Sequence, residues 1–382
     1  MQSSERLNQL NQVLLLTFAL MLPATGIAQG SGSVTDYKTE KRDIAVTEVV
    51  SGLVHPWSIA FISETDWLIT EREGRLRRVV NGELQPQPID GVPAISASGQ
   101  GGLLDVVLHP AFSDNQWVYL SYATGKFLTA STAVYRAKLV GNRLENGKVI
   151  FEAQPKSTGG RHFGSRLAFD NEGYLYISLG DRGKKSSAQQ LDTHPGSVIR
   201  LHDDGRVPDS NPFIDHQNAL PEIYSFGHRN IQGMAFDTRT NTLWTHEHGP
   251  QGGDELNIVH AGQNYGWPVI TYGVNYGLGT KIGEGTSKQG MQQPITYWDP
   301  SIAPSGLTVV SSDKFPEWQG NLLVGALKFQ LLARLELDGN KVVHEERLLA
   351  GQIGRIRDIR QGPDGALYVL SDESNGKVYR IE

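Results

Sequence analysis

Residues 166–183 read RLAFDNEGYLYISLGDRG, a short apolar strand, a turn and a second apolar strand that ends in polar residues. The same pattern recurs along the chain in copies that begin at Trp57, Leu103, Arg166, Gln232, Gly306 and Ile356. Repeats of roughly 45 to 75 residues with several strands each are typical of a β-propeller rather than of a sandwich. The sequence therefore predicts an all-β fold, a six-bladed β-propeller of four-stranded antiparallel blades.

The last copy is shorter than the others and ends at Glu382. The segment Ile44–Val50, IAVTEVV, alternates as a strand does and precedes the first copy. We expect this N-terminal strand to supply the missing outer strand of the last blade and to close the ring, because an open ring would leave an exposed sheet edge.

The residues before the propeller domain, 43–382, have a different composition. Val13–Leu22 is apolar but too short to span a bilayer, and Gly26-Ile27-Ala28 offers a small-residue cleavage site. We interpret residues 1–28 as a signal peptide and residues 29–42 as a flexible lead-in, with an uncleaved membrane anchor as the alternative. The absence of cysteine fits an oxidising compartment, so a periplasmic or secreted protein without a stable membrane span is expected.

Several classes of partner and cofactor are not predicted. The net charge is −6 and no long basic segment occurs, which argues against a nucleic-acid partner. No glycine-rich turn opens a βαβ unit, so a nicotinamide cofactor is not supported. His246 and His248 face the same way on a strand, but a third zinc ligand at convincing spacing is missing from the sequence.

The topology predicts where the polar residues meet. Strands alternate direction in an antiparallel blade, so first strands begin, and second strands end, at one face of the ring. The chemically distinctive residues fall at those positions: Gln100, His162, Arg229, Asn230, Gly249, Pro250, Lys328, Arg355 and Arg357. Four of them are cationic, and four cations on one rim of an acidic protein favour a ligand that carries several carboxylates.

Six motifs, in this order, resemble the soluble aldose sugar dehydrogenases that use pyrroloquinoline quinone. They are GQGGLLDVVLHPAF, RHFGSRLAFD, FGHRNIQGMAFD, EHGPQGGDELN, NYGWP and RIRDIRQGPDGALYVLSDES. The resemblance implies a six-bladed propeller that holds this tricarboxylate quinone and calcium at the channel mouth and oxidises an aldose to its lactone. It also implies an external electron acceptor, a quinone, a cytochrome or a dye, and a homodimer is compatible with it.

The resemblance further implies roles for individual residues. His162 matches the general base that takes the proton of the anomeric hydroxyl, and Arg229 matches a cation near the quinone oxygen that becomes negative. The positions that match cofactor contacts are Gln100, Arg229, Asn230, Lys328, Arg355 and Arg357. The positions that match calcium ligands are Gly249 and Pro250, through their carbonyl oxygens, and, for a second calcium, Glu255 and Tyr265. The expected substrate contacts are Gln100 and Trp298, with packing at the rim as the alternative for the tryptophan.

The chain departs from the family pattern at one position. Arg161 stands where glucose-oxidising members have an acid, so the carboxylate that orients His162 must come from elsewhere or be absent.

Two other classes of function stay open. A calcium-dependent hydrolase or lactonase would use acidic ligands in the channel, such as Asp181 or Glu247. A non-catalytic propeller that binds glycans or proteins is the third interpretation, because fold alone does not decide function.

Overall fold

The structure is a computed structural model that describes residues 34–126 and 129–382. The predicted signal peptide, residues 1–28, therefore lies outside the described residues. The described chain forms six antiparallel sheets arranged as the blades of a propeller, which confirms the predicted fold class. No helix within the described ranges is long and apolar enough to cross a membrane.

The strands follow one another blade by blade. The chain begins with β1 (Val34–Lys38) and β2 (Asp43–Leu53). Blade one contains β3 (Pro56–Ser63), β4 (Asp66–Glu71), β5 (Arg75–Val80) and β6 (Glu83–Leu84). Blade two contains β7 (Leu103–Leu108), β8 (Trp117–Lys126), β9 (Thr129–Val140) and β10 (Arg143–Glu152). Blade three contains β11 (Leu167–Phe169), β12 (Leu175–Ser178), β13 (Ser197–Leu201) and β14 (Ile223–Phe226).

The remaining blades repeat the pattern. Blade four contains β15 (Ile231–Asp237), β16 (Thr242–Glu247), β17 (Asp254–Ile258) and β18 (Thr296–Trp298). Blade five contains β19 (Pro304–Val309), β20 (Leu322–Ala326), β21 (Leu331–Asp338) and β22 (Lys341–Leu348). Blade six contains β23 (Ile356–Gln361), β24 (Leu367–Ser371) and β25 (Gly376–Ile381). The described helices are short: α1 (Phe112–Asn115) and the 3-10 turns Lys185–Gln189 and Pro316–Trp318.

The N-terminal strand closes the ring as predicted. Blade six has the strand order β1-β2-β25-β24-β23, so β2 is the outer neighbour of the last strand of the chain. The register pairs Val46 with Ile381, and the Ala45 amide donates to the Glu382 carbonyl at 2.8 Å. The expectation of a flexible lead-in over residues 29–42 is wrong for part of that segment, because β1 pairs with β2 along its whole length.

The hydrophobic core is divided among the interfaces between blades. The second strands β4, β12, β16, β20 and β24 are buried at nearly every residue, because neighbouring blades cover both of their faces. Strands covered on both faces read as continuous apolar runs rather than as alternating ones. The apolar clusters accordingly join consecutive blades; one of them joins β2 and blade six to blade five.

One buried arginine, at the start of blade three, contacts residues of all five other blades. Arg166 of blade three pairs with Asp358 at 2.9 Å and with Asp105 at 3.6 Å, and its guanidinium lies 4.1 Å from the Trp57 ring. It also donates to main-chain carbonyls of blades four, five and six, those of Gln232, Ser305 and Arg357. Because Trp57 and Arg357 line the cavity described next, Arg166 lies directly beneath that cavity.

Candidate active site

A cavity of about 650 Å³ opens at the end of the channel where first strands begin. Cavities of this size are typical of sites for small molecules and cofactors. Five of the six residues predicted to bind a cofactor line it: Gln100, Asn230, Lys328, Arg355 and Arg357. The structure thus brings residues from blades two, four, five and six to one mouth of the channel.

His162 stands beside this cavity and is held from two sides. Its main-chain amide donates to the Gln100 side-chain oxygen at 2.7 Å, and its Nδ1 lies 2.6 Å from Asp181 Oδ1. The residue has a φ of 57°, in the left-handed region where non-glycine residues are uncommon outside functional or tightly held sites. Gly180 permits the close approach of the two loop segments here, because a Cβ on it would lie 2.3 Å from the His162 carbonyl oxygen.

Asp181 is the carboxylate that the sequence left unassigned. Besides His162, it accepts hydrogen bonds from the Gly183 amide at 2.6 Å and from the Trp267 indole at 2.8 Å. Burial opposes its charge, but the hydrogen bonds from His162 and from these two donors outweigh burial and lower the pKa of Asp181. The carboxylate is therefore ionised at neutral pH.

The same surroundings keep His162 neutral. Burial lowers the pKa of His162, and the positive charge of Arg229 adds to this effect, whereas the hydrogen bond to Asp181 opposes it. The ionised Asp181 accepts a hydrogen bond from Nδ1–H, so the proton of the neutral ring stays on Nδ1 and the other ring nitrogen, Nε2, is left as an acceptor. The imidazole is thus positioned to receive a proton from a group in the site.

Arg229 and Asn230 are fixed by a buried carboxylate. Glu247 accepts the main-chain amides of both residues and also hydrogen-bonds His228 at 3.0 Å. The Arg229 guanidinium donates to the His248 carbonyl at 2.9 Å and lies 5.4 Å from the Trp267 ring. Arg229 does not line the large cavity; it lines a smaller neighbouring one, of about 10 Å³, that His248 shares. Both predicted channel acids, Asp181 and Glu247, are therefore already occupied by protein donors.

The two arginines of blade six share a carboxylate. Arg357 is hydrogen-bonded to Asp372, Arg355 lies 3.8 Å from the same carboxylate, and His55 contacts it at 2.9 Å. Burial opposes the Asp372 charge, but Arg357, His55 and Arg355 together lower the pKa of Asp372 to about 2. Arg72 and Glu373 also line this side of the cavity, so its charge is predominantly positive.

The predicted calcium carbonyls are buried and free of protein donors. Gly249 and Pro250 are buried, and their carbonyl oxygens accept no hydrogen bond from any residue in the described ranges. The Gly249 amide donates to Asp254 at 2.9 Å, which fixes the turn. Buried carbonyl oxygens without donors are the ligands that a calcium ion accepts.

The two residues predicted to bind a second calcium are only partly suited to that role. The Tyr265 hydroxyl already donates to the Ile258 carbonyl at 2.6 Å and accepts the His260 amide at 2.9 Å, so only the Tyr265 carbonyl remains for an ion. Burial and the nearby Glu247 charge raise the pKa of Glu255. Glu247, Glu255 and Tyr265 line the cavity of about 10 Å³, which is large enough for a single ion or water.

Trp298 is not where the sequence analysis expected it. It lies on β18, the outermost strand of blade four, and packs in the core between blades four and five. Its indole donates to Glu345 at 2.8 Å. The expectation of a substrate contact is wrong because an outer strand is remote from the channel; packing, the alternative, is what the structure has. The neighbouring Tyr297 stacks on Tyr272 at 3.9 Å.

His246 and His248 bind carbonyls of the next blade. The His246 ring lies 3.3 Å from the Gly306 carbonyl, and the His248 ring lies 2.7 Å from that of Pro304. They face the same way, as their spacing predicts, and serve the interface between blades four and five. Within residues 34–126 and 129–382, no cluster of three or more potential side-chain metal ligands occurs.

Fold and site together define a six-bladed propeller with a cationic cavity and, beside it, a histidine hydrogen-bonded to a carboxylate. The sequence model for glucose/sorbosone dehydrogenases matches residues 53–380. The aldose sugar dehydrogenase YliI of Escherichia coli is 46% identical over 335 residues, 86% of this chain and 90% of that protein. The chain therefore belongs to the glucose/sorbosone dehydrogenase family and is a sugar dehydrogenase, which confirms the resemblance drawn from the motifs.

Two solved structures give the same result. The apo form of the soluble aldose sugar dehydrogenase of Escherichia coli has a TM-score of 0.86 and 44% identity, covering 89% of this chain and 99% of that one. The PQQ-bound aldose sugar dehydrogenase of Streptomyces coelicolor has a TM-score of 0.72 and 26% identity, covering 92% of this chain and 98% of that one.

Proposed function

We propose that this protein is an exported quinoprotein that oxidises the anomeric hydroxyl of an aldose to the lactone, with pyrroloquinoline quinone and calcium as cofactors. The observation that carries the proposal is the neutral imidazole of His162, oriented by an ionised Asp181 beside a cavity lined with cations. The electrons leave to an external quinone, cytochrome or dye.

The cavity fits the quinone in size and in charge. A planar tricarboxylate needs donors and positive charge at its edge, which Lys328, Arg355 and Arg357 supply, with Gln100 and Asn230 as polar contacts. Arg357 Nε is buried and lacks a hydrogen-bond partner among the described residues, so a donor remains for a ligand. When bound, the quinone would supply a two-electron acceptor for the hydride of the sugar, and calcium would supply a Lewis acid beside it.

His162 removes the proton. The anomeric hydroxyl donates to Nε2, the imidazole becomes positive, and the ionised Asp181 at Nδ1 stabilises that charge. Because His162 is neutral at neutral pH, no proton has to leave it before the reaction. The hydrogen bond of Gln100 to the His162 amide keeps the ring beside the cavity, and Gln100 also contacts the sugar.

Arg229 supplies a fixed positive charge. Its guanidinium is held by the His248 carbonyl and the Trp267 ring, so it needs no rearrangement when negative charge develops at the cavity wall. Preorganised charge of this kind typically contributes about 2.7 to 4 kcal/mol to lowering a barrier.

The carbonyls of Gly249 and Pro250 would hold the calcium that accompanies the quinone, since they are buried and free of donors. Glu255 and the Tyr265 carbonyl would hold a second ion, which would relieve the repulsion between Glu255 and Glu247.

The alternative of a calcium-dependent hydrolase is less well supported, because the acidic residues that would bind its metal are already hydrogen-bonded within the protein. Asp181 is engaged by His162, Gly183 and Trp267, and Glu247 is engaged by His228 and two main-chain amides, so neither carboxylate is free for a catalytic metal. A purely binding propeller is less well supported, because the matching family and its relative over most of the chain are sugar dehydrogenases.

Reconstitution tests the proposal. The purified apoprotein is mixed with calcium and pyrroloquinoline quinone, and an aldose and an artificial electron acceptor are added. Dye reduction that requires both additions is expected. The variant His162→Ala should lose turnover while it still binds the quinone, followed by its absorbance. Lactone hydrolysis without quinone, or normal turnover by His162→Ala, would contradict the proposal.

A further inference from the structure

The tryptophan of the motif NYGWP, Trp267, lies between the loops that carry Asp181 and Arg229. It is buried, with 5% of its surface exposed. Its indole N–H donates to Asp181 Oδ2 at 2.8 Å, and the Arg229 guanidinium lies 5.4 Å from its ring. One side chain therefore contacts both the carboxylate that orients His162 and the fixed cation of the site.

The position of Trp267 is set by the fold. Its main-chain amide donates to the Gly227 carbonyl at 2.9 Å, and its carbonyl accepts the Gln189 side chain at 2.8 Å. The ring packs in a small buried cluster with Ala188 and Ile282. Because protein groups alone hold the main chain and the ring, the indole N–H is directed at Asp181 before any ligand binds.

The two oxygens of the Asp181 carboxylate have different partners. Oδ1 lies 2.6 Å from His162 Nδ1 and accepts the Gly183 amide, also at 2.6 Å. Among the described residues, Oδ2 has the Trp267 indole as its one hydrogen-bond donor. The last torsion of an aspartate side chain has only broad preferences, so a carboxylate held at one oxygen is free to turn. The indole N–H removes that freedom by holding the second oxygen.

The indole N–H also moderates the charge that His162 experiences. A donor to a carboxylate stabilises its ionised form, and Trp267 contributes in this way to the lowered pKa of Asp181. Without that donor, the carboxylate would attract the imidazolium of His162 more strongly. The charged and titratable groups that act on His162 are Asp181, Arg229, Arg161 and His248. Of these four, Asp181 is the one whose carboxylate accepts the indole N–H.

Resting on the proposed function, we infer that Trp267 is a positioning residue for the proton transfer: its indole N–H fixes the plane of the Asp181 carboxylate and, through it, the orientation of the His162 ring. Trp267 takes no proton itself and acts through Asp181. The NYGWP motif is thereby connected to the chemistry at His162, 105 positions earlier in the chain.

The variant Trp267→Phe tests this role, because it removes the N–H and keeps an aromatic ring beside Arg229. On the reconstituted enzyme with glucose, kcat is expected to fall about three- to tenfold, as the loss of one hydrogen bond predicts, while KM changes by less than about twofold. The acid limb of kcat/KM should move to higher pH by roughly half a unit to one unit, because the pKa of His162 rises.

Trp318→Phe is the matched control. Trp318 is fully buried between blades five and six, and its indole nitrogen has no hydrogen-bond partner among the described residues. The same change in side-chain volume is therefore made without the loss of a hydrogen bond. The acid limb and kcat of Trp318→Phe should match those of wild type.

A double variant shows whether Trp267 acts through Asp181. In the Asp181→Asn background the carboxylate is absent, so Trp267→Phe should change kcat by less than about twofold. A loss as large as in the wild-type background would mean that the ring acts on the site directly, and it would overturn the inference.

A titration without turnover provides an independent readout. The His162 imidazole is followed by NMR in the quinone-free protein, and its pKa should be higher in Trp267→Phe than in wild type. If Trp267→Phe does not fold, the benzothiophene analogue of tryptophan at position 267 removes the N–H and keeps the bicyclic ring. A pKa of His162 that stays in place or falls would refute the positioning role. Absence of dye reduction in the unmodified enzyme would instead contradict the proposed function, and the NMR titration would still decide the role of the indole.

Discussion

At the residue scale, the pair His162–Asp181 determines what the site can do. The motif RHFGSR identified the histidine, but its partner lies 19 residues further along, at the exit of β12, where a search next to the histidine could not find it. Arg161, in the adjacent position, instead contributes positive charge that lowers the pKa of His162. The rule that second strands end at the cavity would have found Asp181, because LGDRG follows β12 directly.

The pair makes a prediction about pH. A protonated His162 cannot act as a base, so kcat/KM should fall as pH drops through its pKa. Because that pKa is lowered, the acid limb should lie below about 6.5, the ordinary histidine value, and activity should be flat around neutral pH.

Asp181→Asn should reduce kcat by about 10²- to 10⁴-fold, since an amide favours the tautomer with the proton on Nε2.

The variant Asp181→Asn also tests the direction in which Asp181 shifts the pKa of His162. Asp181 raises the pKa of His162, so its replacement should move the acid limb to lower pH. The pH profile of kcat/KM for wild type and Asp181→Asn, with unchanged quinone affinity as the control, measures both effects. An acid limb that moves to higher pH, or full activity in the variant, would refute the assigned geometry.

At the scale of elements, it was easier to predict that the chain forms blades of strands than to predict which segments are the outermost strands of their blades. The strand that closes the ring was foreseen because the last copy lacked one, whereas β1 was not. Its sequence, VTDYK, is almost entirely exposed and has no apolar pattern; its pairing with β2 and the packing of Tyr37 against the core hold it. Trp298 was misplaced for a related reason: it belongs to a strand of three residues, and the sequence does not show that this strand is the outermost of its blade.

Truncation distinguishes the two N-terminal strands. A chain that starts at Thr39 loses β1 and should unfold in urea within about 2 kcal/mol of wild type, because β1 buries little apolar surface. A chain that starts at Val54 also loses the buried residues Ile44, Val46, Val50 and Leu53. Their burial is worth roughly 6 to 12 kcal/mol, which equals the total stability of many domains. That chain should show no cooperative transition; a transition like that of wild type would refute the role of β2.

At the scale of the whole molecule, Arg166 joins six blades at one point. The sequence showed the arginine at the start of the third repeat but could not show that side chains and carbonyls from the other five blades converge on it. Arg360 contacts the same two carboxylates, at 2.9 Å from Asp105 and 3.1 Å from Asp358, so the buried charges balance.

Removal of one of these charges should be costly. Arg166→Met leaves two buried carboxylates against one guanidinium and is expected to destabilise the apoprotein by about 3 to 5 kcal/mol. The double variant Arg166→Met/Asp358→Asn restores neutrality and should recover part of that loss in thermal or urea unfolding. If the double variant is less stable than the single one, charge balance is not the reason for the cluster.

The seam between β2 and β25 also sets an order of events in biosynthesis. Lys377 and Glu48, which form an ion pair across this seam, are 329 positions apart, so β2 leaves the ribosome long before its partner exists. Until the final strand is made, the nascent polypeptide remains an open arc with an unpaired edge and an incomplete channel mouth. Closure of the ring therefore joins the first and last strands of the propeller, and it cannot precede the synthesis of β25.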